Sequence, residues 1–142
     1  MQVTLNFWAW EFDCHDGTAV PAALIESGLR PLCETLELIR AEWGGSLVIV
    51  SGYRTPSWNK RIGGAPSSRH LLADAADVKP LEATVARVAE LHAMILRMRL
   101  GRDLLPRLGG LGRYPRWVHV DLRPGGRLRR WAGKGYGAER VA

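Results

Sequence analysis

Apolar side chains recur at helical spacing twice along the chain. Leu29, Leu32, Cys33, Leu36, Ile39 and Trp43 fall on one face of a 3.6-residue period, and Gly44-Gly45 follows as a stop signal. This pattern predicts an amphipathic helix over residues 29–43. Val85, Val88, Leu91, Ile95 and Met98 form a second stripe, with Pro80 expected to open that helix and the glycines and prolines of 101–112 expected to end it. Between the two stripes, residues 47–50 are a short β-branched run closing on Ser51-Gly52, as in a buried strand that feeds an exposed loop. That loop, residues 53–69, is long and polar. A second strand is expected at 75–79. Residues 116–122 alternate, with Trp117, His119 and Asp121 on one face and Val118, Val120 and Leu122 on the other, so chemistry stands opposite core. Helices and strands are segregated more than they alternate. The expected class is α+β, a small antiparallel sheet packed with helices.

With 142 residues, 46% of them hydrophobic and 24% charged, the chain has the size and make-up of one compact domain. Residues 1–142 are therefore expected to form a single domain, with 123–142 a basic Gly/Arg-rich tail. Apolar runs stop well short of the roughly 18 to 20 residues that cross a bilayer, so no transmembrane segment is expected. Residues 1–10 lack the basic start and long apolar run of a secretory signal, so export is expected by another route. Neither Cys14 nor Cys33 belongs to a Cys-x-x-Cys pair, and both read as buried small residues, with a single bridge between them left open. The net charge of +6 favours polyanions: nucleic acid, anionic lipid or the bacterial wall. A nucleic-acid binder would rest on the arginine excess alone, because no nucleic-acid motif accompanies it.

Candidate chemistry begins at Ser68-Arg69-His70, continues to Asp77 seven positions beyond His70, and ends at His119 on the alternating strand. Two imidazoles and a carboxylate make a three-ligand set that leaves one position open, which is the requirement of catalytic zinc. A cation there polarises a carbonyl and acidifies water, and a set with only one negative ligand preserves the charge to do so. His15 and His92 have no partner at metal spacing. Trp58 and Tyr114 are candidates to line a peptide groove, with packing the plainer account. Arg127, Arg129 and Arg130 form a basic cluster suited to an anionic polymer or to plain solvation.

The surrounding text is more specific than the spacing. Ser51-Gly52-Tyr53-Arg54-Thr55-Pro56 is followed by Asn59, Gly63-Gly64-Ala65-Pro66, Ser68-x-His70, Ala75-x-Asp77 and Trp117-Val118-His119-Val120-Asp121. In this order the motifs resemble the zinc D-alanyl-D-alanine carboxypeptidase and peptidoglycan endopeptidase family of the hedgehog/DD-peptidase fold. The resemblance spans residues 7–123 and includes Glu11-Phe12 and Cys14. It implies a Zn²⁺ cofactor held by His70, Asp77 and His119, and an arginine, Arg54, that grips a substrate carboxylate. Ser68 would touch substrate or orient His70. Peptidoglycan stem peptides become the expected partners, with no nucleic acid and a monomeric state. The place of action would be the wall, from the periplasm or outer face, in a phage lysis or tail protein or a host enzyme.

Two positions depart from the family pattern. Ala73 stands where a glycine is usual, which costs little unless the backbone there needs a positive φ. Arg116 stands where several relatives carry an acid, three residues before the last histidine. Proton handling must then come from elsewhere, and Asp121, on the same strand face as His119, is the candidate. The exchanged assignment, Asp121 as ligand and His119 as proton handler, remains open. So does a catalytically inactive member that binds metal or wall peptide.

Overall fold

Both apolar stripes fold as helices, and their packing sets the sheet that carries the candidate chemistry. The computed structural model describes residues 1–133 and 140–141. After a short turn α1 (Ala22–Leu24), helix α2 runs Arg30–Trp43. Pro31 sits in its first turn, where a missing N–H costs nothing, and Gly44 at φ +77° closes it, donating to the Arg40 carbonyl at 2.9 Å. Leu32, Cys33, Leu36 and Ile39 are fully buried. Each large apolar side chain on this face stabilises the fold by about 1.5–3 kcal/mol relative to exposure. Cys14 and Cys33 are both buried and free, and burial pushes the Cys33 thiol up to about 12, so it is inert as a nucleophile.

Residues 53–69 hold a short helix α3 (Pro56–Arg61), capped by the Thr55 hydroxyl, which accepts from the Trp58 N–H at 3.2 Å. Helix α4 (Val85–Leu96) opens at Thr84, whose hydroxyl accepts from the Arg87 N–H at 3.1 Å. Pro80 does not open it. It ends strand β4 (Ala75–Pro80) opposite Leu47, because the fixed φ of proline suits a strand end as well as a helix start and the real cap lies four residues on. Val85 is accordingly exposed, and the buried stripe begins at Val88.

A hairpin of β1 (Gln2–Thr4) and β2 (Phe7–Trp8) stands apart from a six-stranded sheet. That sheet contains β3 (Leu47–Ser51), β4, β5 (Leu108–Arg113), β6 (Val118–Leu122), β7 (Arg129–Ala132) and β8 (Arg140–Val141), in the order β3-β4-β6-β5-β7-β8. Its pairs are antiparallel except β5 with β7, which makes it mixed. Helix α4 packs on β4, β5 and β6, and α2 packs on α4 and β1. The class is α+β, as expected.

Five strands, β1, β2, β5, β7 and β8, lie where the sequence pattern offered none. Residues 101–112 read as a break, yet β5 runs through Gly109, Gly110 and Gly112. Part of the basic tail, Arg129–Ala132, is β7; residues 134–139 and 142 of that tail lie outside the described residues. Among the described residues, no helix is long and apolar enough to cross a membrane.

His92 on α4 makes the stability of the fold depend on pH. Burial, with Arg113 and Arg130 adding to it, pulls its pKa from 6.5 to about 4. Between those values the unfolded chain binds the proton and the folded chain does not, so stability falls as pH drops from 6.5 towards 4. His92→Gln should lose this component. Urea unfolding at about pH 7 and about pH 4.5 is expected to give a smaller difference in the variant than in the wild type, and equal differences would dismiss His92 as the group.

Candidate metal centre

Strand register brings the first two ligands together. Asp77 on β4 lies directly opposite His119 on β6, on the face away from Ala76, Val78, Val118 and Val120, all of which are fully buried. The His119 Nδ1 is 3.0 Å from Asp77 Oδ1. His70 arrives from a 3₁₀ turn, Arg69–Leu72. Ser68 caps that turn, its hydroxyl accepting from the His70 N–H at 3.2 Å, and the Arg54 N–H ties it down by donating to the His70 carbonyl at 3.0 Å. The His70 Nδ1–H donates to the Gly52 carbonyl at 2.6 Å, which leaves Nε2 3.6 Å from Asp77 Oδ1.

Ligand atoms of His70, Asp77 and His119 thus lie within 4.8 Å of one another, and all three residues are buried. Zinc–ligand bonds of about 2.0–2.2 Å in a tetrahedron separate ligand atoms by about 3.3 Å. The 3.0 and 3.6 Å separations straddle that value, so the residues fit a zinc ion. Charge supports the same fit. Burial alone would raise the Asp77 pKa, but the two imidazoles that face it, His119 and His70, outweigh burial and hold the carboxyl ionised. Burial pulls His70 down and keeps its imidazole neutral, as a ligand must be; burial would do the same to His119, but Asp121 and Asp77 outweigh it and raise that imidazole to about 9, so it gives up a proton when it takes a metal.

The turn that carries His70 ends at Ala73 in the left-handed region, φ +58° and ψ 20°. This is the position where the sequence pattern calls for glycine, and the backbone does need a positive φ. A left-handed L-residue costs about 1–2 kcal/mol. Its buried methyl returns about 0.8 kcal/mol. Ala73→Gly is therefore expected to stabilise the protein by up to about 1 kcal/mol, read as a higher urea midpoint; a lower midpoint would mean that the methyl matters more than the strain.

Asp121 lies on the same face as His119 but deeper, with no exposure. Its Oδ2 accepts from His119 Nε2 at 2.7 Å, and Arg123 donates to it from Nε (2.8 Å to Oδ1) and Nη2 (3.0 Å to Oδ2). Both carboxylate oxygens are engaged on the side of the imidazole away from Asp77. The Arg54 guanidinium is mostly buried, with Nη2 3.7 Å from Asp77 Oδ2 and Nη1 donating to Asn59 Oδ1 at 3.3 Å, while Nε is buried without a hydrogen-bond partner. Arg116 is exposed. Beside His119, the Trp131 ring stands 5.0 Å away, its Nε1–H donating to the Tyr114 hydroxyl at 3.0 Å, and Tyr114 stacks on Trp117. Trp58 packs near His15 and Arg61 instead.

The structure therefore gathers Arg54, His70, Asp77, His119 and Asp121 and puts Ser68 behind His70. Sequence reading missed Arg123 and Trp131. For Arg123 the signal was available, since the alternation through His119 and Asp121 continues to it two positions on. A cavity of about 390 Å³ is lined by Arg69, Asp74, Arg107 and Arg123 and by none of the three ligands. Its arginines are matched by Asp74, Glu34 and Asp121, so it carries no surplus positive charge for an anion.

A mixed α+β sheet with two buried imidazoles and a carboxylate converging from β4, β6 and the preceding turn defines a candidate metallohydrolase centre. Residues 6–121 match the Peptidase M15 family, and the chain belongs to it. The family is one of zinc peptidases, and the three-residue cluster lies within the matched span. No curated protein matches the chain.

Proposed function

We propose that the protein is a zinc-dependent peptidase that hydrolyses peptide bonds of bacterial peptidoglycan, as a D-Ala-D-Ala carboxypeptidase or a murein endopeptidase. The observation that carries this reading is the convergence of His70 Nε2, Asp77 and His119 Nδ1 next to a buried arginine. When bound, the zinc ion supplies Lewis acidity, polarising the scissile carbonyl and acidifying a water molecule. His70, Asp77 and His119 hold it. Arg54 positions the substrate: a guanidinium binds a carboxylate through two parallel hydrogen bonds, and its partnerless Nε is a donor that a stem-peptide carboxylate would satisfy. Fixing that carboxylate holds the scissile bond in a reactive arrangement. Ser68 serves by capping the turn that presents His70. Asp121 serves by holding His119 rather than by moving protons, because both its oxygens are engaged. The place of action is the bacterial wall, reached from the periplasm or the outer face, in a phage lysis or tail protein or a host enzyme.

A second reading, a member that binds metal or wall peptide without cleaving it, is favoured by one observation. Arg116 occupies the position of the missing acid, and Asp121 is withdrawn from solvent. Zinc-loaded protein incubated with purified cross-linked and uncross-linked muropeptides separates the two readings by mass spectrometry. Shortened stems or resolved cross-links support the peptidase; intact muropeptides with a fully occupied site leave the binding member.

A further inference from the structure

We infer that Arg123 is a positioning residue of the metal centre, acting through Asp121 on His119; this deepens the proposed zinc site and rests on it. An imidazole can present either nitrogen to a metal, and a hydrogen bond at one nitrogen fixes the other as the donor. In this chain Asp121 takes the Nε2–H of His119 at 2.7 Å, which leaves Nδ1, 3.0 Å from Asp77, for the cation. A carboxylate alone is free to turn about its last bond. Arg123 removes that freedom with a two-point grip, Nε to one oxygen and Nη2 to the other, from two residues further along the chain, just past the end of β6. The same grip supplies the positive charge that a fully buried carboxylate requires.

Neighbouring strand β5 is shaped around this pair. A Cβ on Gly110 would stand 2.3 Å from Asp121 Oδ2, and a Cβ on Gly109 would stand 2.5 Å from Arg123 Cβ. Two successive glycines thus clear the lane that Asp121 and Arg123 occupy. Trp131 completes the bracket, with the Arg123 guanidinium 5.9 Å from its ring centre and His119 5.0 Å away. A purely structural ion pair would need the charge of Arg123; a positioning residue also needs its fork.

Arg123→Lys keeps the charge and loses the fork, and Arg123→Met loses both. Zinc affinity is measured by competition with a chromogenic chelator, alongside the visible absorption of the cobalt(II)-substituted protein and the melting temperature of the metal-free form. The expected result for Arg123→Lys is a metal-free melting temperature near that of the wild type, zinc binding weaker by about tenfold and a shifted cobalt band. Arg123→Met, where it folds, is expected to bind weaker still, by up to about 100-fold. Wild-type zinc affinity and an unchanged cobalt spectrum in Arg123→Lys would overturn the positioning role while leaving the metal site standing. A wild-type protein that binds neither zinc nor cobalt would overturn the site and this inference together.

Discussion

His70→Ala is expected to reduce bound zinc from about one ion per chain to a trace and to remove peptide cleavage with it. Loss of an outer partner of a metal ligand already weakens binding by about 10- to 100-fold, so loss of one of three direct ligands should exceed about 100-fold. The substitution also strands the Gly52 carbonyl, which accepts from His70 Nδ1, and an unmet buried acceptor costs about 1–3 kcal/mol. Two measurements separate these effects. Elemental analysis after dialysis reads the metal, and melting with and without added zinc reads the linkage, since a ligand present at about 100 times its Kd stabilises the fold by about 2.7 kcal/mol. Wild type should melt higher with zinc, whereas His70→Ala should melt at one temperature either way. A variant that retains stoichiometric zinc would remove His70 from the ligand set.

Gly110→Ala is expected to be among the most damaging single-methyl additions in the chain. The new Cβ would lie 2.3–2.5 Å from all three carboxylate atoms of Asp121, a group held by His119 and Arg123 and wholly enclosed. Overpacking a core costs about 1–3 kcal/mol. Displacing one member of a buried ion pair costs about 3–5 kcal/mol. A combined loss of at least about 3 kcal/mol is the expected outcome in urea unfolding, with weakened zinc binding in whatever fraction folds. Gly101→Ala is the control, because a Cβ there meets nothing within 4 Å. Equal stabilities for the two variants would sink the packing argument.

Most of the site was legible because its residues obey the simplest periodicities. His119 and Asp121 alternate with Val118 and Val120, and the motif around His70 and Asp77 is contiguous with a strand whose apolar half is plain. Alternation gives a face but not a depth, however. It put Asp121 beside His119 without revealing that β5 covers it and Arg123 grips it. The stripe of α2 was readable because four buried side chains share one face and a glycine closes it. Strand β5 was not, because Gly109, Gly110 and Gly112 are breakers by local rule, and their purpose lies in the side chains of Arg123, Asp121 and Trp131, which a local rule never consults. Helix α3 is too short for a period to emerge, although Thr55-Pro56 is a cap followed by a first-turn proline. Pro80 was misassigned because one local signal serves two element ends.

Strand β7 has a consequence for the order in which the molecule assembles. It pairs parallel to β5 and brings Trp131 against His119, while Asp77 meets a histidine 42 positions away. Contacts between distant parts of a chain form late, after local helices and hairpins. His70 and Asp77 are joined early through the β3–β4 pairing, His119 arrives when β6 pairs with β4, and its aromatic neighbour Trp131 comes only when β7 has joined β5. In a refolding experiment, uptake of zinc should therefore lag behind the recovery of helical circular dichroism.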